Sequence, residues 1–583
     1  MRRHTSTESS SARRPSPAFR QPVEPLEGRT MMSASDLDPT FGSGGAAFTN
    51  LAGGNEYQTV VAAPGGKYVA GGSRNFDGNI NMLLARFNAN GTPDTTFGGG
   101  TGRVITDFGG NADGISSVAV LSSGKILVAG EGADTFGQNA KLCVARYNAN
   151  GTLDTTFGGG DGKADVSFGG SFAFGGSMKV LPSGKFVVAG TSYSTATLGD
   201  FALVRFNANG TVDTSFGSSG TGKVVADFGG NAAAPGNQQA NGLAVDGSGR
   251  LYVAGGVTAG AADEDVAVAR FTAGGLLDPG FGGGKGWVTT ELASASNPNA
   301  DDTANAVAVT PAGKLLVAGR SSPDSDKPGR FALVQYTTSG SLDTGFGGGT
   351  GKVLTNLNPD PLSNSKKADH LNLSFNGQGL AVTGAGKIVV AGYGSGTSFK
   401  DGYAYAQTEA VGVARYNSNG SLDTSFNGTG KKVTTKFDWA KGVAVDGAGK
   451  VVVAGGLDSK AGLLRFGTPA AGTASIAGSF FNDKNGDGKR QAATEPLLAD
   501  WQAYADTNNN GVYDYGEATA FSDAAGNYTI KGLTAGTYRI REVRKDGWAR
   551  TTPSGTYPLG YYDVTVATGA AATGKVFGNQ KIA

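Results

Sequence analysis

The chain has 583 residues, enough for several domains, and a formal net charge of +1, so no overall field favours nucleic acid or an anionic membrane surface. Its 98 glycines come with only 20 prolines and no three-residue period, which excludes collagen. One cysteine excludes an internal disulfide, two histidines leave no material for histidine triads or His-rich zinc sites, and no apolar run approaches the ~18 residues of a membrane helix.

Residues 1–35 form a separate region. Met1 to Arg29 carries six arginines, no lysine, many serines and prolines and no secretory apolar core, so a disordered basic tail is expected. Within it, Val23-Glu24-Pro25-Leu26-Glu27-Gly28-Arg29-Thr30-Met31-Met32-Ser33-Ala34 resembles the N-terminal LEPR-XLL sorting motif of large bacterial surface proteins, with Met31-Met32 where the pattern has two leucines. The resemblance implies export.

From Asp36 to Gly467 two phrases recur. One is an Arg-aromatic pair, a turn and then Asp-x-x-Phe-Gly: Arg86-Phe87 leads to Asp94 and Phe97, Arg146-Tyr147 to Asp154 and Phe157. Further copies end at Phe216, Phe281, Phe346 and Phe426, with a headless copy at Asp38 to Gly42. The other is Gly-Lys/Arg followed by β-branched residues and Ala-Gly, at Gly66, Gly124, Gly184, Gly249, Gly313, Gly386 and Gly449. A period of about sixty residues signals a radial or stacked array rather than one ordinary core.

The second unit divides into four predicted strands: Ile115 to Leu121, Lys125 to Gly130, Lys141 to Tyr147 and Gly162 to Ser167. Ser122-Ser123-Gly124 and Asn148-Ala149-Asn150-Gly151 supply turn chemistry between them. Cys143, in the third of these strands, reads as a small buried hydrophobe rather than a nucleophile. A four-stranded unit repeated radially is a propeller blade, and seven units predict seven blades. The array opens with a lone fourth strand, Gly45 to Leu51, and closes after a third strand, Gly462 to Phe466. Pairing these two would leave no open edge, whereas a solenoid would need capping units that are not visible.

These phrases resemble the delta-60 repeat family of bacterial proteins, whose units are taken as propeller blades. The resemblance covers about Asp36 to Gly467 and implies a fold without an assigned catalytic activity.

Spacing separates two faces. From the Arg position to the Phe is eleven residues in all six complete copies, whereas the Gly-Lys to Arg and Phe to Gly-Lys distances vary widely. Because successive strands run antiparallel, the two variable connections emerge on one face, the expected binding face. The longest variable segments are Asn356 to Gly379, an irregular insertion that contains His370, and Tyr393 to Gly412. The latter carries Phe399, Tyr403 and Tyr405 and forms either a contact surface or a decoration without a partner. Arg86 and Asp94, with their counterparts, either pair across the fixed turn or leave the aspartate to cap it through backbone amides. Gln335 replaces the arginine once. Seven-fold recurrence makes the role structural rather than catalytic.

After a small-residue linker at 468–473, residues 474–583 use a different vocabulary. Asp506, Asn508, Asn510, the turn at Gly511, the Val512 carbonyl, Asp514 and Glu517 fit a twelve-residue calcium loop, whose oxygens converge on six to eight coordination positions. A weaker copy comprises Asp483, Asn485, Asp487, the Lys489 carbonyl and Glu495, with its glutamate one residue late and Gln491 at the ninth position. No amphipathic helices flank either loop, so a helix-loop-helix sensor is not expected. Gly478-Ser479-Phe480-Phe481-Asn482-Asp483, the stretch Ser522 to Ile530 and the stretch Gly532 to Glu542 resemble the B domains of serine-aspartate repeat surface proteins. That resemblance implies a calcium-stabilised β-sandwich acting as a rigid spacer.

The sequence therefore predicts an all-β protein, a seven-bladed β-propeller of four-stranded blades (36–467) followed by a calcium-binding β-sandwich (474–583). The expected setting is secreted or cell-surface, with possible cell-envelope attachment and a protein or glycan ligand on the variable propeller face. The expected role is non-enzymatic adhesion or scaffolding, with Ca2+ as the cofactor and no catalytic residue. The alternative is an extracellular carbohydrate-active or other propeller enzyme, which should carry two or more acidic residues at non-repeated positions on inner strands. Asp246 and Asp446 fall instead in fixed turns.

Overall fold

The computed structural model describes residues 37–49, 51–110, 112–133, 140–168, 173–193, 199–227, 237–258, 264–292, 301–322, 328–358, 370–400, 403–467, 472–506, 511, 513, 518–533, 536–545, 547–553, 560–567 and 569–582. Among them, residues 46–466 form seven four-stranded antiparallel sheets. The first contains Gly54–Ala63, Lys67–Phe76, Asn79–Phe87 and Arg103–Thr106; the second Gly114–Val120, Ile126–Gly132, Lys141–Tyr147 and Lys163–Val166. The third to sixth follow the same order, with innermost strands Ala173–Val180, Asn237–Val245, Asp301–Val309 and His370–Val382. The seventh combines Trp439–Val445, Val451–Leu457 and Lys460–Phe466 with Ala46–Phe48 from the other end of the chain. Innermost strands of successive sheets touch, and that of the seventh touches that of the first. This architecture is a β-propeller.

The strands form where the sequence alternates or runs apolar between glycine turns, and they lie within two residues of the expected bounds in the second unit. The second strand of each sheet is buried on both faces because each sheet is sandwiched between its neighbours. Ile126, Leu127, Val128 and Ala129 are all 2% exposed or less. Alternate side chains therefore feed two different cores. Leu127 and Ala129 pack with Phe157, Phe186 and Val188, and Ile126 and Val128 with Met82, Phe97 and Val118.

The chain ends pair as expected, over a shorter span. Ala46, Ala47 and Phe48 oppose Leu464, Leu463 and Gly462, and Leu37 bridges Phe466. One expectation is corrected. The insertions of the sixth unit are not irregular where they are described: His370–Val382, Ile388–Lys400 and Tyr403–Tyr416 are long paired strands, with His370 opposite Phe399. Antiparallel pairing satisfies the backbone groups that an irregular insertion would leave open.

Residues 472–582 form two further four-stranded sheets. One orders Asn527–Gly532, Gly472–Asn482, Ala571–Lys581 and Trp548–Thr552; the other Thr519–Phe521, Gln502–Asp506, Gly536–Glu542 and Tyr562–Val566. Gly472–Asn482 and Ala571–Lys581 pair in parallel. Both sheets supply one core, with Phe480, Tyr528, Ile530 and Phe577 from the first and Trp501, Ala503, Ala505, Ile540 and Val564 on the side of the second.

Candidate functional site

The recurring residues meet on the face of the fixed turns. In the second sheet, Asp154 Oδ2 lies 2.6 Å from Arg146 Nε and 2.7 Å from Lys125 Nζ, while its Oδ1 accepts the Thr156 amide and hydroxyl. Both roles open to this aspartate are thus filled at once, pairing and capping. Burial raises the Asp154 pKa, but the bonds from Lys125, Thr156 and Arg146 outweigh it and hold the carboxyl well below the usual range. The same trio recurs as Lys67, Arg86 and Asp94, as Lys185, Arg205 and Asp213, and as Lys387, Arg415 and Asp423. Where Gln335 replaces the arginine, Lys314 keeps Asp343 paired at 2.5 Å. The lysine comes from the Gly-Lys phrase, so the two phrases are halves of one cluster, a link the sequence reading missed.

The trio also ties sheet to sheet. Each arginine stacks over the phenylalanine of its own phrase, 4.6 Å for Arg86 and Phe97, and Arg86, Arg146, Arg205 and Arg270 each donate to a carbonyl in the next sheet's turn, as from Arg205 to Ala273 at 2.7 Å. The Gly98 amide donates to Asn150 O at 2.9 Å, and Gly158 repeats the bond to Asn209. When the aromatic partner is tyrosine, its hydroxyl meets a threonine on the preceding sheet's outermost strand: Tyr147 and Thr106 at 2.7 Å, Tyr336 and Thr290 at 2.7 Å, Tyr416 and Thr355 at 2.8 Å. Asp246 and Asp446 stay structural, accepting turn amides and the hydroxyls of Tyr252 and Tyr68.

The opposite face surrounds the mouth of the central channel. Every innermost strand carries a β-bulge, at Gln58, Ser116, Gly176, Asn241, Asn305, Gln378 and Lys441. Asn241 Nδ2 donates to Ala304 O and Asn305 Nδ2 to Gly377 O, both at 2.9 Å, linking adjacent inner strands. Between the seventh and second sheets charge replaces these amides. Lys441 Nζ reaches Gln58 Oε1 at 3.3 Å, Gln58 Nε2 donates to Glu56 Oε1 at 2.7 Å, and Ser73 Oγ donates to the same oxygen at 3.3 Å. Burial pushes the Glu131 carboxyl up to about 7, with Lys441 opposing and Glu56 adding to the shift. Farther along the inner strands, Lys179 takes a position filled by Val61, Ala119, Ala244, Ala308, Ala381 and Ala444 in the other sheets. The surrounding protein lowers its ammonium pKa. Glu56 and Glu131 were missed from sequence, although their departure from the repeat at those positions was a usable signal.

Of the stronger calcium loop, Asp506 is described and Asn508, Asn510, Val512, Asp514 and Glu517 lie outside the described residues. Asp506 is buried at a strand end, its Oδ2 accepting Arg541 Nε at 2.6 Å and the Gly511 amide at 3.0 Å. The weaker loop is fully described. Asp483 and Glu495 are both buried; Asp483 accepts the Gly486 and Gly488 amides at 2.8 Å, and Glu495 those of Lys484 and Gln491 at 2.9 Å. Asn485 and Asp487 bond each other and the loop backbone, Asp487 accepting the Lys489 amide at 2.8 Å. No group of three His, Cys, Asp or Glu side chains converges as a metal cage among the described residues. The donor set is nonetheless the hard-oxygen chemistry that calcium takes, and amides that donate to carboxylates hold those oxygens in the loop. Among the described residues no helix is long and apolar enough to cross a membrane.

Fold and site together define a β-propeller protein with a second all-β unit. Six of its repeats, residues 64–97, 121–157, 181–216, 247–281, 311–346 and 386–426, match the family model described as "Domain of unknown function (DUF5122) beta-propeller". No curated protein matches the chain. Among solved structures it is similar to a PL25 ulvan lyase, a polysaccharide lyase, at 11% identity and TM-score 0.39, covering 72% of this chain and 95% of that one. It is also similar to the WD40 propeller domain of Doa1, at 12% identity and TM-score 0.35 over 72% and 96% of the two chains. A glucose dehydrogenase matches at 12% identity and TM-score 0.30 over 60% and 96%. At these identities and TM-scores such likenesses carry no argument about function.

Proposed function

We propose that the protein is an exported or cell-surface protein with a non-enzymatic adhesion, scaffolding or cell-envelope role. In this reading the seven sheets are the blades of one closed propeller that serves as a binding platform, and the C-terminal unit is a calcium-stabilised sandwich and rigid spacer. One observation carries the platform role: the fixed face repeats the same ties between sheets, as with Arg205 and Ala273 at 2.7 Å, whereas on the variable face the side chains between sheets change, Asn241 and Asn305 giving way to Lys441 and Gln58. Positions that the repeat does not fix can diverge toward a ligand. The acidic loops, the LEPR-XLL-like segment and the B-domain resemblance support an extracellular setting, where millimolar calcium fills weak sites. Calcium would be held by Asp506, Asn508, Asn510, Val512, Asp514 and Glu517, and in the second loop by Asp483, Asn485, Asp487, Lys489 and Glu495. Cell fractionation tests the role: envelope or medium is expected, and recovery from the cytosol alone overturns it.

A second reading, an extracellular carbohydrate-active or other propeller enzyme, is favoured by Glu56 and Glu131. Both are acidic residues at non-repeated positions, Glu56 on an innermost strand and Glu131 on the strand paired with one.

A further inference from the structure

Repeat symmetry distinguishes what the propeller needs from what it carries in addition. The Glu56 position is taken by Gly114, Gln239, Thr303, Asn376 and Trp439 in five other sheets, and the Glu131 position by Ser73, Thr191, Gly256, Arg320, Tyr393 and Gly456. A carboxyl is therefore not required at either place for the sheets to form. Among the described residues the Glu131 carboxyl has no hydrogen bond or ion pair, although it is half-buried opposite Gly114 and its pKa is pushed up to about 7. A half-buried carboxyl without a partner destabilises the fold, and such features are retained where they serve a site.

We propose that the channel mouth between the seventh, first and second sheets binds a neutral polyhydroxylated ligand, a saccharide, through Glu56, Glu131, Gln58 and Lys441. The chemistry selects the class. Two carboxyls oppose an anion, the Lys441 ammonium opposes a metal ion or organic cation, and a matched set of acceptors and donors suits hydroxyl groups, which need both. Glu131 and the second oxygen of Glu56 accept ligand hydroxyls, and Lys441 and Gln58 donate. Trp439, two residues before Lys441 on the same strand with its ring against Gly456, offers an apolar face beside them. The inference rests on the variable face being the binding face and specifies where on that face the ligand goes.

Isothermal titration of the full chain with cellohexaose, mannohexaose, chitohexaose and laminarihexaose tests it. At least one should bind, and Glu131→Gln and Lys441→Met should each weaken that binding at least ten-fold. Glu131→Gln should leave the melting temperature unchanged or raise it, because a neutral amide replaces an unpaired half-buried acid. A purely structural glutamate would instead lower it. Binding of none of the four sugars overturns the inference and leaves the platform role to the fractionation test. Binding that survives both substitutions but is lost when the 393–412 hairpin is shortened overturns this site while keeping the face.

Discussion

Asp38 and Arg465 meet at 2.9 Å where the first and last repeats join, and Lys450 completes the trio on the same carboxylate. The cluster that other sheets build from one continuous repeat is here assembled from the two ends of the array. Arg465 also stacks on Phe41 at 4.5 Å and donates to Ala89 O in the first sheet. The tie between consecutive sheets is thus repeated at the closure.

Asp38→Ala should therefore destabilise the propeller about as much as Asp154→Ala, by roughly 2–4 kcal/mol, since each strands a mostly buried cation. Urea unfolding of the two variants checks this. A loss below about 0.5 kcal/mol for Asp38→Ala would show that the ends do not hold the ring.

Tyr147→Phe removes the partner of the buried Thr106 hydroxyl and leaves the ring packing in place. A loss of about 1–2 kcal/mol is expected. Because Phe206 fills the same place in the third sheet, the fold itself should survive, and an unchanged stability would mean that the hydroxyl pair contributes nothing.

Gly151 has φ +91°, and a Cβ there would lie 2.9 Å from the Phe97 ring of the preceding sheet. Gly151→Ala should cost about 1–3 kcal/mol from strain and overpacking together. Pairing it with Phe97→Leu should recover part of the overpacking share in a double-mutant cycle, whereas strict additivity would place the whole cost in the backbone.

Asp423 is lowered to about 2: burial raises it, and the bonds from Ser425 and Lys387 with the charge of Arg415 outweigh that. Its folded-state pKa lies below the unfolded value near 4, so its contribution is complete above that value and is lost as pH falls toward 2. Stability measured from pH 7 to pH 3 should fall below about pH 4, and Asp423→Asn should flatten part of the slope. A slope identical in the variant would remove Asp423 from the acid response.

Calcium should raise the melting temperature of the C-terminal unit relative to a chelator, because an ion held only by the folded state stabilises it by mass action. Glu495→Gln and Glu517→Gln separate the two loops. Coincident melts with and without calcium would sink the metal assignment.

Strand lengths, turn positions and the pairing of the array ends were legible in the sequence because they follow from local chemistry. Alternating or continuous apolar runs set the strands, glycines such as Gly151 set the turns, and an unpaired strand at each end calls for a partner. The fixed spacing of Arg86 and Asp94 was legible too, and it left pairing and capping as alternatives that the fold combines in one carboxylate. Tertiary structure alone decided that Lys67 joins that pair from 27 residues away, that the sixth sheet extends its insertions as paired strands, and that Lys441 and Glu56 are joined through Gln58. The contacts of Lys441, Gln58 and Glu56 arise from the stacking of sheets and the inner-strand bulges, which bring together side chains from different repeats. A pattern read one repeat at a time carries no information about its neighbours.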